Sequence, residues 1–136
     1  MRPRFLDPLR VEKIGETADS RPIWKLLSEF RYDSDILGCR VAIPAGFITD
    51  LASVPRAPLA YWLTGNTATE AAVLHDFLYS RRSPAKTKDE ADDTFWEAMT
   101  AMGVPWWRRR IMWRAVQIGG ASAWQTGPAR SQRLNA

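Results

Sequence analysis

The strongest constraint on the fold is a repeated start signal: Thr67 followed by Glu70, and Thr87 followed by Glu90. In each pair the hydroxyl can accept from a free backbone N–H of a first helical turn while the acid reaches back, so each pair opens a helix. The first helix is expected over about 68–81 and the second from 87 to near Gly103, with SPAKT as the loop between them. Pro105 suits the first turn of a third helix, which runs through WWRRRIMWRAVQI to a stop at Gly119–Gly120. Residues 125–136 then read as an extended or mobile tail, leaving a core over about 8–124.

The part before these helices follows a different rule. RPIWKLLSEFRY (21–32) has no helical stripe, SDILG (34–38) breaks the chain, and CRVAIP (39–44) alternates and ends at proline. Together they predict a small antiparallel sheet. PAGF is a turn leading into ITDLASVPR, and APLAYWL (57–63) reads as a short amphipathic turn or helix. The expected architecture is a single α+β domain, 1–136, with a small antiparallel sheet followed by three packed helices.

Composition narrows the classes of function. At 136 residues, 46% hydrophobic and 25% charged, the chain suits one domain with its own core. Every apolar run is interrupted, so no transmembrane segment is expected, and MRPRFLDPLRVEK lacks the apolar stretch of a secretory signal. The expected place of synthesis is the cytoplasm. Cys39 stands alone, which excludes an intrachain disulfide and a cysteine-based zinc site, and it reads as a small core residue. The net charge of +4 is uneven: between Val104 and Ala136 there are six arginines and no acid. Such an end suits an anionic lipid surface, an acidic protein or nucleic acid, although no nucleic-acid reader motif is present.

AVLHDFLYS (72–80) holds the single histidine. Helical spacing makes His75 and Tyr79 neighbours and turns Asp76 about 100° away. A core-facing imidazole needs partners for both nitrogens, and KDEADDTFWEAM on the next helix supplies carboxylates. Ala91, Phe95, Ala98 and Met102 form the expected core stripe there. Asp92 borders it and is the expected partner of His75 or Tyr79, whereas Asp89, Asp93 and Glu97 are expected to face water.

A His-Asp-x-x-Tyr helix followed by an antiparallel helix with an Asp three residues before a Phe resembles the catalytic core of secreted phospholipase A2, closest to its bacterial and fungal branch. The resemblance implies that His75 is the general base that activates water. It also implies that Asp76 binds catalytic Ca2+, and that Asp92 and Tyr79 hold the imidazole. The chain has no recognisable glycine-rich calcium loop before that helix; GFITDLAS (46–53) is the candidate replacement, with Asp50 as a further oxygen ligand. A longer resemblance rests on four separated motifs in order: VAIPAGFITDLASVPR, AAVLHDFLYSRR, ADDTFWEAM and the GV…RR…MWRAVQIGG segment. These resemble a phage- and prophage-encoded group, domain-of-unknown-function family 1353, over roughly residues 24 to 124. That resemblance implies a viral origin and assigns no reaction.

Two functions follow as expectations. One is a phage-encoded, metal-dependent hydrolase acting on an ester such as a host-envelope lipid. The other is a non-enzymatic virion or assembly protein that docks on other phage proteins, with the His-Asp-Tyr network purely structural. Asp50 reads either as completing a metal or acid–base cluster with His75 and Asp76 or, together with Ser53, as a cap of the following turn; Ser53 lacks the glycine-flanked elbow of a serine hydrolase, which argues against that role. Arg108, Arg109, Arg110, Arg114 and Trp113 are the candidate partner surface. The competing expectation is that Trp107, Ile111, Ala115 and Ile118 pack inward while the arginines face solvent.

Overall fold

The computed structural model describes residues 2–54 and 69–135. Six short strands precede three helices: β1 (Arg4–Phe5), β2 (Val11–Glu16), β3 (Pro22–Leu26), β4 (Phe30–Ser34), β5 (Cys39–Ile43), β6 (Ile48–Thr49), α1 (Thr69–Leu78), α2 (Lys88–Ala101) and α3 (Trp106–Leu134). The α+β expectation holds, but the strands form two antiparallel sheets rather than one, β1-β4-β5 and β2-β3-β6. The chain switches sheets after β1, β3 and β5, so the two interleave in sequence: β4–β5 is a hairpin of the first, while β3 pairs with both β2 and β6 in the second.

Alternation decides which faces are buried. In the β4–β5 register Phe30 faces Ile43 and Tyr32 faces Val41, and all four side chains are buried. In β2 the pairing slips between Lys13 and Gly15, which leaves Ile14 exposed. Pro44–Phe47 is a tight turn, closed by Phe47 N donating to Pro44 O at 3.2 Å, with Gly46 at φ 89° where a side chain would be strained. It returns the chain to β6, which adds Thr49 to the edge of the second sheet opposite Trp24.

The second helix starts as its residues dictate. Thr87 caps α2, accepting from Glu90 N at 3.1 Å, and Glu90 reaches back to Lys86 N at 3.0 Å. Gly103, at φ 76°, ends it in a Schellman turn in which Val104 N donates to Met99 O and Gly103 N to Thr100 O. Thr67 and the APLAYWL segment lie outside the described residues, and α1 is seen from Thr69 to Leu78. His75 meets Phe95 while Tyr79 meets Asp92, so α1 and α2 run antiparallel.

The third helix departs from expectation. It does not stop at Gly119–Gly120 and the segment after 124 is not extended: α3 continues through Pro128 to Leu134. Its buried seam is Met112, Val116, Gly120 and Gly127, with Ala123 and Trp124 partly buried beside it. Trp107, Ile111 and Ile118 lie on the opposite side, Ile118 with 78% of its surface exposed, so the stripe of large residues is not the packed one. Small residues win the seam because a bulky side chain there would meet α1 and α2. A Cβ at Gly127 would stand 2.5 Å from the backbone oxygen of Tyr79, and one at Gly120 would stand 2.9 Å from Cε of Lys88. Asn135 closes the helix end on β6, accepting from Ile48 N at 2.7 Å and donating to Ile48 O at 3.0 Å.

Candidate functional site

The turn after β6 is built by its own side chains. The Thr49 hydroxyl oxygen accepts from Leu51 N at 3.0 Å, Asp50 accepts from Ala52 N at 3.1 Å, and Arg21 donates to Leu51 O at 3.3 Å. Leu51 is forced to φ 57°, a conformation that bulky residues avoid and that costs on the order of 1–3 kcal/mol. The result is that Ser53 is turned onto α1. Its N–H donates to Asp76 Oδ1 at 3.2 Å, and its hydroxyl lies 3.0 Å from His75 Nδ1.

His75 is fully buried, with ring contacts to Tyr79 at 4.4 Å and Phe95 at 4.6 Å. Its Nε2 lies 2.8 Å from Asp92 Oδ1. The same carboxylate accepts from the Tyr79 hydroxyl at 2.6 Å and, through Oδ2, from Lys88 Nζ at 2.6 Å. A carboxylate facing Nε2 places the ring proton there, which leaves Nδ1 to accept the Ser53 hydroxyl proton. This tautomer follows from the hydrogen-bond network. Burial pushes the Asp92 carboxyl up, but the bonds from His75, Lys88 and Tyr79 together outweigh it and hold the group below its ordinary value. Burial and then the Asp92 bond push the Tyr79 phenol far up, so it stays a donor.

Two further acids stand on the other side of Ser53. Asp76 accepts from Ser53 N and, through its other oxygen, from the Thr49 hydroxyl. Asp50 is raised above its ordinary value, by burial first and by the charge of Asp76 next, against the pull of Ala52 N–H, Arg130 and Arg21. Arg130 of α3 approaches Asp50 at 3.8 Å. Ser53, Asp76 and Tyr79 share a cavity of about 10 Å³ with Gly127, Arg130 and Ser131 of α3, room for about one water molecule. Among the described residues, Ser53 and Asp76 therefore meet at a small pocket rather than a roomy cleft, with His75 bonded to Ser53 from behind it. Among the described residues no group of three or more His, Cys, Asp or Glu side chains is arranged to hold a metal ion.

The network of His75, Asp92 and Tyr79 was legible from helical spacing. Ser53, Thr49 and Lys88 were not assigned to it. Lys88 could have been found as the i−4 neighbour of Asp92, and Ser53 from its spacing of four from Thr49 around Asp50. Glu97 does not face water: it accepts from the Tyr32 hydroxyl at 2.8 Å, Ser34 Oγ at 2.9 Å and Ile36 N at 2.9 Å. The candidate partner surface on α3 divides. Arg109 lies 5.0 Å over the Trp96 ring and Trp113 packs edge-on to Trp96 at 5.9 Å, whereas Arg110 and Arg114 are exposed. Arg108 lies 5.3 Å over Trp107. Cys39 is half-buried at the start of β5 rather than in the core.

No helix among the described residues is long and apolar enough to cross a membrane. No solved structure gives a significant match to the chain. The uncharacterized protein y4jT of Sinorhizobium fredii (strain NBRC 101917 / NGR234) is 32% identical over 108 residues, which cover 76% of this chain and 30% of that protein. The chain thus spans less than a third of the length of the curated relative it matches. A family model described as "Protein of unknown function (DUF1353)" matches residues 24–116, a stretch that takes in most of β3, all of β4 to β6, the Thr49–Ser53 turn, and the His75 and Asp92 helices. The chain belongs to the DUF1353 family.

Proposed function

We propose that this chain is an ester hydrolase in which His75 is the general base and Ser53 carries the attacking hydroxyl. The observation that carries the reading is a single imidazole with a carboxylate 2.8 Å from Nε2 and a serine hydroxyl 3.0 Å from Nδ1. Ser53 Oγ would bond to the acyl carbon while its proton passes to Nδ1. Breaking the carbon–oxygen ester bond then returns that proton to the departing alcohol. Water repeats the sequence, releasing the acid and restoring Ser53. Asp92 offsets the imidazolium charge, and Tyr79 and Lys88 fix the carboxylate that does so.

Calcium, implied by the phospholipase resemblance, would have to share donors already in use: both Asp76 oxygens and Asp50 Oδ1 accept protein hydrogen bonds from Thr49, Ser53 and Ala52. No step above runs through a metal. A Ca2+-dependent rise in melting temperature is the measurement that would restore Asp76 and Asp50 as ligands.

A viral origin and a host-envelope ester as substrate belong to the same reading, supported by the motif order that resembles phage-encoded proteins. The test is release of acid from mixed phospholipid vesicles and short-chain aryl esters by the wild type, His75→Ala and Ser53→Ala, with a fluorophosphonate probe directed at Ser53. The expected outcome is activity and labelling in the wild type and at least a hundredfold loss in both variants. If Ser53→Ala stays active while His75→Ala does not, His75 activates water instead.

The second reading is a virion or assembly protein held together by this network, and it is favoured by the 0% exposure of both His75 and Asp92. It predicts that folded His75→Ala and wild type are equally silent on every ester, and that the wild type takes up no probe.

A further inference from the structure

We infer that a second cleft, formed by Arg81, Arg82, Ser131, Gln132 and Asn135, is a binding site for a phosphate-bearing ligand. It measures about 440 Å³, within the size range of small-molecule sites, and among the described residues no acidic side chain lines it. Its two guanidiniums come from the turn that follows α1, while the remaining wall is the last turn of α3. Among the described residues neither Arg81 nor Arg82 has an ion pair or hydrogen-bond partner. Adjacent arginines without carboxylates, beside a serine hydroxyl and a glutamine amide, match the charge and acceptor-rich surface of a phosphate. Asn135 is the fixed wall of the cleft, since its amide is already spent on Ile48 and Ser131.

The surrounding charge points the same way. The third helix and its flanks carry six arginines and no acid, so nothing on that element neutralises the cleft. The cleft also shares Ser131 with the small cavity at Ser53 and Asp76, on the same side of α3. An anionic group held by Arg81 and Arg82 would therefore lie beside the His75 site. This makes the cleft the headgroup subsite for a phosphate-bearing ester, a step that rests on the hydrolase reading; the binding itself does not.

The probes are inorganic phosphate, followed by calorimetry, and vesicles of phosphatidylglycerol or of phosphatidylcholine, followed by sedimentation. The variants are Arg81→Ala/Arg82→Ala and Arg110→Ala/Arg114→Ala, which remove equal charge from the cleft and from the exposed outer face of α3. All four arginines are on the surface, so both variants are expected to fold. The expected result is binding of phosphate or of phosphatidylglycerol vesicles by the wild type, a loss of at least tenfold in the first variant, and little change in the second. Phosphate binding without vesicle binding identifies a soluble phosphoester, and vesicle binding competed by phosphate identifies a lipid headgroup; both support the site. Equal losses in the two variants, no loss in the first, or no binding of either probe would overturn it. Because binding is read without hydrolysis, a protein that binds but cleaves nothing sinks the hydrolase reading alone. An active enzyme that binds neither probe sinks this inference alone.

Discussion

Asp92 and Asp50 are both buried, and they act on stability in opposite directions. The folded value of Asp92 is depressed below 3.8, so its contribution is present above that value and is lost as pH falls through the folded one. Asp92→Asn keeps the shape but removes the charge that His75, Tyr79 and Lys88 share. Breaking a buried charged network in this way costs about 3–5 kcal/mol. Asp50 is raised instead, so its charged form is disfavoured by folding; that penalty is full above the folded value, fades as pH falls through it and is gone below 3.8. Asp50→Asn retains an acceptor for Ala52 N–H and removes repulsion from Asp76, so neutral-pH stability should hold or rise. Urea unfolding of both variants at neutral and acid pH checks the pair, and a large loss in Asp50→Asn would show that Arg130 depends on that charge. At this scale the sequence revealed the helix-borne residues well, because i, i+4 spacing fixes who can meet whom. It concealed Ser53, whose direction depends on the left-handed Leu51, a residue type that gives no sign of adopting that conformation.

The third helix shows how an element can be misjudged when its glycines are given the wrong job. Gly119–Gly120 reads as a stop because glycine commonly ends helices, yet Gly120 and Gly127 lie along the buried seam and admit Tyr79 and Lys88. The contact, not the local propensity, decides their identity. In an exposed helix, Gly→Ala stabilises by about 0.5–1 kcal/mol. Here Gly127→Ala should destabilise by about 1–3 kcal/mol, since its Cβ meets backbone at 2.5 Å and the whole helix must shift. Gly120→Ala should cost less, because the atoms in its way are the ends of the Lys88 and Tyr79 side chains. The order matters more than the size. Thermal melts in which Gly120→Ala is the worse variant would mean that the Tyr79 hydroxyl, fixed on Asp92, yields less readily than the helix backbone. The same seam explains why Ile111 and Ile118 mislead: hydrophobic periodicity locates a buried face only where large residues can fit.

Across the molecule, the first sheet and the helices share one hydrophobic core, and a polar link between them runs through one carboxylate. Glu97 of α2 accepts from Tyr32 and Ser34 of β4 and from the backbone of Ile36, three donors that have no other acceptor among the described residues. Burial, and next the Glu97 bond, push the Tyr32 phenol far up, so it stays protonated as a donor. The α+β plan was readable from the change of periodicity along the chain. The division into two sheets was not, since strand pairing depends on partners distant in sequence, and the Glu97 clip spans more than sixty residues. Glu97→Ala leaves three donors without a partner and should cost about 2–3 kcal/mol, whereas Glu97→Gln keeps an acceptor and should cost about 1 kcal/mol. Hydrogen exchange distinguishes a local loss from a global one. If Glu97 joins the sheet to the helices, Glu97→Ala should speed exchange throughout β4 and β5 while amides of α1 around His75 keep their protection. Uniform acceleration at both places would mean instead that the sheet and the His75 network unfold as one unit, and that the candidate site is held by the whole fold rather than by its own helices.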